Sequence, residues 1–208
     1  MVVAVMIGGA LVEVAAWWAV SRGEVSVWVA MGVALPAMGI AAVTVRAPSL
    51  SATVSAEVAV ATGVAAGVAL YLATRLFVAA IRWRTFQRHS VQLYARQAGL
   101  PLVGAIVLAA VVTAPGEELF WRGMFQAELS VALDSSTVGA AIAWAAYVGA
   151  NLSSRNLAII AGALVGGAVW SALAWWTGGT LASIVSHALW TALMLGFPVV
   201  HVPVGGRA

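Results

Sequence analysis

The stretch Pro101 to Leu129, PLVGAIVLAAVVTAPGEELFWRGMFQAEL, reads as membrane, yet it carries Glu117, Glu118 and Arg122 within six residues. A charge near a bilayer centre costs several kcal/mol or more unless it is paired or lines a polar cavity, so such a cluster marks a site. The same stretch is too long for one simple crossing. With Pro115 and Gly116 at its middle, it is expected to kink there, or to end one helix and start another with proline in the first turn.

The rest of the chain supports a membrane reading. Of its 208 residues, 63% are hydrophobic and 8% charged, with a mean hydropathy of +1.02. A soluble domain is nearer half apolar and a quarter charged. A hydrocarbon core about 30 Å thick takes roughly 20 helical residues to cross. Seven apolar stretches follow: Val2 to Val20, Val25 to Val45, Glu57 to Ile81, Pro101 to Leu129, Thr137 to Ala150, Asn156 to Thr177, and Gly179 to Val200. The expected fold is all-α, a polytopic bundle of seven or eight spans. No linker or repeat divides it, so residues 1–208 form one membrane domain, with 101–200 as the part that carries chemistry.

With no cysteine, thiol chemistry and disulfides are excluded. All ten basic residues are arginine and the apolar mass is mostly alanine and valine, which points to a bacterial, GC-rich source. There is no run of positive charge for nucleic acid. No basic residue precedes the first apolar run and Arg22 follows it, the reverse of a signal peptide, so that run is read as a retained span.

Sorting arginines into loops puts Arg22, Arg82, Arg84, Arg88, Arg96, Arg155 and Arg207 on one side and Arg46 on the other. The positive-inside rule then sets the N-terminus outside and the C-terminus in the cytoplasm of a bacterial plasma membrane. Arg84, Arg88, Gln92 and Arg96 recur every four residues, while Trp83, Phe86, Ser90 and Tyr94 lie on another face. This is the pattern of a basic interfacial helix lying on anionic lipid. The pairs Gly63 with Gly67 and Gly162 with Gly166 have the spacing that lets helix backbones approach closely.

On a helix, Glu118 and Arg122 share a face and can pair, whereas Glu117 points about 100° away and is left free. A carboxylate in a sparsely hydrated cavity is suited to take a proton from water. The plainer role of both glutamates is to sit in a first helical turn against its dipole, which leaves Arg122 unexplained. His187 is the histidine deepest in an apolar segment, and Thr191 lies one turn later on the same face. Asn151 ends the short fifth segment, four residues after Tyr147, where a helix cap is the plain alternative.

The run Ala114-Pro115-Gly116-Glu117-Glu118-Leu119-Phe120-Trp121-Arg122-Gly123 resembles the first motif of the CAAX protease and bacteriocin-processing (CPBP, or Abi) family of intramembrane proteases, which includes the Rce1-type endopeptidases. That motif is two glutamates with an arginine after three intervening residues. The second motif is an aromatic residue with histidine four later, and Tyr147 with Asn151 occupies it with the histidine replaced. The third is histidine with asparagine, or sometimes aspartate, four later, and His187 with Thr191 matches its first member only. The likeness covers roughly Pro101 to the C-terminus.

The resemblance implies an endopeptidase acting on a membrane-associated peptide. Glu117 and the position of Asn151 would act on water, His187 and Thr191 would hold the oxyanion, and Glu118, Arg122 and Tyr147 would support the site or orient substrate. No cofactor is implied by the residues: a catalytic zinc usually wants three protein ligands, often two of them histidine, and Asn151 is a poor substitute. The departures at Asn151 and Thr191 leave a second function open, an inactive relative that serves as binding or accessory subunit of a membrane complex. A small transporter is disfavoured by the lack of an internal repeat.

Overall fold

The computed structural model describes residues 1–81, 83–96 and 99–200, the backbone alone for 95 and 96. The regular elements among them are all helical. They are α1 (Val2–Arg22), α2 (Val27–Val45), α3 (Ala56–Ala80), α4 (Arg84–Arg96), α5 (Leu102–Ala132), α6 (Ser136–Asn151), α7 (Leu157–Thr177) and α8 (Leu181–Gly196). Serine or asparagine side chains accept from first-turn N–H groups at four starts: Ser26, Ser55, Ser135 and Asn156. α1 ends on Gly23 with φ 75°, a left-handed cap that glycine adopts without penalty.

Each of the seven apolar stretches contributes a helix. Five of them, α1, α2, α3, α5 and α7, are long and apolar enough to cross a membrane, while α6 and α8 have 16 residues each. Large apolar side chains such as Leu11, Val33, Ile40, Leu76 and Val111 are exposed on the outside, as lipid-facing surfaces require. The chain is therefore a polytopic helical membrane protein.

Of the two expectations at Pro115, a kink or a helix end, α5 excludes the second. It is one continuous helix of 31 residues, and its backbone widens into π turns at Leu108–Thr113 and Leu119–Gln126, on either side of Ala114–Glu118. Proline lacks an N–H and its ring crowds the carbonyl one turn earlier. A π turn just before it loosens that carbonyl and lets the helix run on.

Two backbone contacts set the frame of the site. A Cβ on Gly116 would stand 2.7 Å from the Leu35 carbonyl oxygen, and one on Gly39 would stand 2.7 Å from Gly116 Cα, so α2 and α5 touch next to Glu117. Gly63 and Gly67 bring α3 onto α8, against the Ala182 and Ser186 carbonyl oxygens. The second pair behaves differently from the expectation of helix approach: Gly162 and Gly166 make room for the rings of Trp190 and Trp170.

α4 lies across one end of the bundle with Phe86 and Ser90 buried and Arg84 and Arg88 exposed. Gln87 Nε2 donates to the Val78 and Ile81 carbonyls, and the Tyr94 hydroxyl donates to Met194 O, fastening α4 to the ends of α3 and α8. At its other side Leu157 N–H donates to His89 Nδ1. Arg155 stacks on Trp18 near the end of α1, so Arg22, Arg84, Arg88 and Arg155 share that end. Arg46 is at the opposite end, paired with Glu128. Arg82, Arg207 and the Arg96 side chain lie outside the described residues.

Candidate active site

Four helices converge on the α5 motif. Glu118 and Arg122, one turn apart, pair at 3.1 Å with almost no exposure of either side chain. Arg122 also donates to Gly167 O at 3.1 Å, and its guanidinium lies 4.5 Å from the Tyr147 ring centroid and 5.6 Å from that of Trp170. Charge, carbonyl and two aromatic faces together solvate a cation that lipid would not.

His187 Nδ1 lies 2.9 Å from Glu118 Oε1, the same oxygen that accepts from Arg122. Because that carboxylate already accepts from a guanidinium, Nδ1 carries the hydrogen and donates, which leaves Nε2 as the free ring nitrogen. The imidazole is stacked on the Trp170 ring, with centroids 3.7 Å apart and planes 14° apart. Its position is therefore fixed both in plane and from below.

Glu117 projects from α5 in a different direction. Its polar neighbours are Glu13, His187, Tyr147 and Glu118, and it stands on the wall of a cavity of about 390 Å³. Asn151, Tyr147, His187 and Thr191 line the same cavity, so Glu117 faces one space with the residues of the second and third motifs, whereas Glu118 and Arg122 are not on its wall. Leu70 and Phe77 of α3, Phe86 of α4 and Ile159 of α7 give it mostly apolar walls. Through Phe86, Ser90 and Tyr94 the cavity reaches α4, on the end of the bundle that carries Arg84 and Arg88.

Asn151 does not stand free at this wall. Its Nδ2 donates to Glu13 Oε1 at 2.9 Å and to Tyr147 O at 3.0 Å. Glu13, fully buried in α1, also accepts from Trp121 Nε1 at 2.6 Å. Sequence reasoning passed over Glu13. The signal was there, a lone carboxylate in the middle of a 21-residue apolar helix, and it should have been weighed as Glu117 was.

The donors do not fit a catalytic zinc. Glu118 is engaged by Arg122 and His187, Asn151 offers an amide, and among the described residues no group of three His, Cys, Asp or Glu is disposed to hold a metal. The site is one of carboxylates, an imidazole and hydroxyl or amide groups.

No curated protein and no solved structure matches the chain. Residues 99–193 do match the family model of the type II CAAX prenyl endopeptidases, Rce1-like. That segment runs from the start of α5 into α8 and contains Glu117, Glu118, Arg122, Tyr147, Asn151, His187 and Thr191. Through these residues the 99–193 segment is similar to the Rce1-like, or CPBP, family of CAAX endopeptidases.

Proposed function

We propose that the protein is an active intramembrane endopeptidase that hydrolyses a peptide bond of a membrane-associated substrate. The observation that supports this most is the meeting of Glu117, Asn151, His187 and Thr191 on one largely apolar cavity. A peptide segment entering such a cavity leaves water behind, which strengthens every polar interaction with the scissile bond.

In this reading Glu117 takes a proton from a water as the water oxygen adds to the scissile carbonyl. The oxyanion that forms is stabilised by the Thr191 hydroxyl and by His187 Nε2, which donates when the ring carries its second proton. Glu118 holds that ring in place through Nδ1, as a carboxylate orients the base in other hydrolases. Glu117 then gives its proton to the leaving amine as the C–N bond breaks, so a carboxyl and an amine are released.

The protein is placed in a bacterial plasma membrane with the C-terminus and α4 on the cytoplasmic side, where Arg84 and Arg88 meet anionic lipid. A second reading is favoured by Asn151, whose amide stands where the family pattern has a histidine: a non-catalytic relative that binds a membrane-protein partner. The experiment is reconstitution of the purified protein into vesicles with a pool of membrane peptides, followed by mass spectrometry of new N-termini. Cleavage by the parent and none by Glu117→Ala supports the protease. No new termini from the parent, with activity gained by Asn151→His combined with Thr191→Asn, supports the binding subunit.

A further inference from the structure

We propose that Glu13 is a positioning residue of this site, holding Asn151 so that its amide nitrogen points into the protein and its Oδ1 is the atom offered to the cavity. Glu13 belongs to α1, outside the 99–193 segment that matches the family. It is fully buried and does not line the cavity, so it acts through Asn151.

The two oxygens of Glu13 have separate donors, Trp121 Nε1 on Oε2 and Asn151 Nδ2 on Oε1, and the Trp17 indole is a further, weaker partner of the carboxylate. The Asn151 amide has two hydrogens, and Tyr147 O accepts the other. An asparagine can be placed in two orientations that differ by exchange of its N and O. The exchanged one would set Oδ1 against a carboxylate oxygen and a peptide carbonyl, acceptor facing acceptor. The Tyr147 carbonyl is an acceptor whatever the state of Glu13, so Oδ1 set against it would be repelled. Donor and acceptor chemistry therefore fixes the amide.

The orientation matters for water, a consequence that rests on the endopeptidase reading above. A water between Glu117 and Asn151 meets two acceptors and gives one hydrogen to each. Its lone pairs are then left for the substrate carbonyl. The exchanged amide would donate to the water oxygen and occupy the very lone pair that must attack. Glu13 thus supplies from the first span what makes an amide usable at a position where the family pattern has histidine.

Glu13→Gln tests this, because glutamine keeps the shape but has one oxygen where the carboxylate has two for its donors. Trp121 Nε1 or Asn151 Nδ2 must then face an NH₂ group. Removing the stronger competing indole with Trp121→Phe leaves the glutamine oxygen to Asn151 ahead of the weaker Trp17, so the double variant should recover the parental orientation. The chain has two asparagines, Asn151 and Asn156, so selective ¹⁵N-asparagine labelling of the protein in detergent gives two side-chain NH₂ signals. Asn156 caps α7 and bonds His89 O, which makes its signal an internal check on folding.

The expected result is that Glu13→Gln shifts the Asn151 pair and speeds its hydrogen exchange about 10-fold or more, leaves the Asn156 pair in place, and is reversed by adding Trp121→Phe. An unmoved Asn151 pair in Glu13→Gln overturns the proposal. So does a double variant that folds, by the Asn156 signal, but leaves the Asn151 pair displaced, and this second measure stands if the single variant does not fold. On the membrane-peptide pool, Glu13→Gln should lower kcat roughly 10- to 100-fold with KM little changed, and the double variant should regain most of it. Unchanged cleavage by Glu13→Gln beside an active parent overturns the role in positioning. A parent that cleaves nothing ends the protease reading, while the amide spectra still decide how Asn151 is held.

Discussion

Arg122 and His187 donate to the same oxygen, Glu118 Oε1, at 3.1 and 2.9 Å, so one buried carboxylate ties α5 to α8 and orients the imidazole. Its energetic weight shows when one partner is removed, because the charge left behind has no water to turn to. Arg122→Met is expected to destabilise the protein by about 3–5 kcal/mol. Arg122→Lys should recover part of that, since an ammonium keeps the charge but loses the fork to Gly167 O and the contact with the Tyr147 ring. Thermal unfolding in detergent gives the measure, and a parental midpoint for Arg122→Met would contradict it.

Glu117 should behave in the opposite way. Among the described residues it has no guanidinium partner, and it sits at the cavity wall, so Glu117→Gln is expected to keep the unfolding midpoint within a few degrees while lowering cleavage by about 10²- to 10⁴-fold. The two glutamates are adjacent in sequence and separate in role. A Glu117→Gln variant that unfolds early yet still cleaves would reverse that division.

How much of this was legible in the sequence differs from residue to residue. The Glu118 with Arg122 pair and the faces of α4 follow from helical spacing, which is local, and the structure has Phe86 and Ser90 buried beside exposed Arg84 and Arg88. Pro115 was read as a kink or a break, the two local effects of proline; that the helix runs on through π turns, with Gly116 against the α2 backbone, is not contained in any window of sequence. Glu13 was missed because its meaning lies in Trp121 and Asn151, 108 and 138 positions along the chain. Gly166 has the spacing of a helix contact, but the ring of Trp170 fills the space.

The contact of α2 with α5 predicts that Gly116 tolerates no side chain. A Cβ there would lie 2.7 Å from Leu35 O and 2.8 Å from Pro36 Cα, both backbone atoms that cannot rotate away. Gly116→Ala must part the two helices and is expected to cost about 1–3 kcal/mol. As Glu117 is the next residue, cleavage should fall as well. Gly8, with nothing within 4 Å of an added Cβ, serves as the control, and Gly8→Ala should be neutral or slightly stabilising. Equal midpoints for the two variants would show that α2 and α5 are not in backbone contact.

The docking of α4 gives a pH dependence outside the spans. Burial pushes the Tyr94 phenol from 10.0 up to about 12; the Val199 N–H that donates to its oxygen works the other way, and Tyr71 adds to the rise. The folded protein therefore holds this proton more tightly than the unfolded chain does. The stabilising contribution of the protonated phenol is fully present below about pH 10 and is lost as pH climbs from 10 to about 12. Its loss removes the donor to Met194 O, so α4 should loosen from the end of α8 across that window. Tyrosinate absorbance, taken as the difference between parent and Tyr94→Phe, should show the Tyr94 step near pH 12, and a fluorophore placed on α4 should report loosening over the same range in the parent alone. A Tyr94 step near pH 10 would mean that the phenol is hydrated and that α4 is not seated on the cavity.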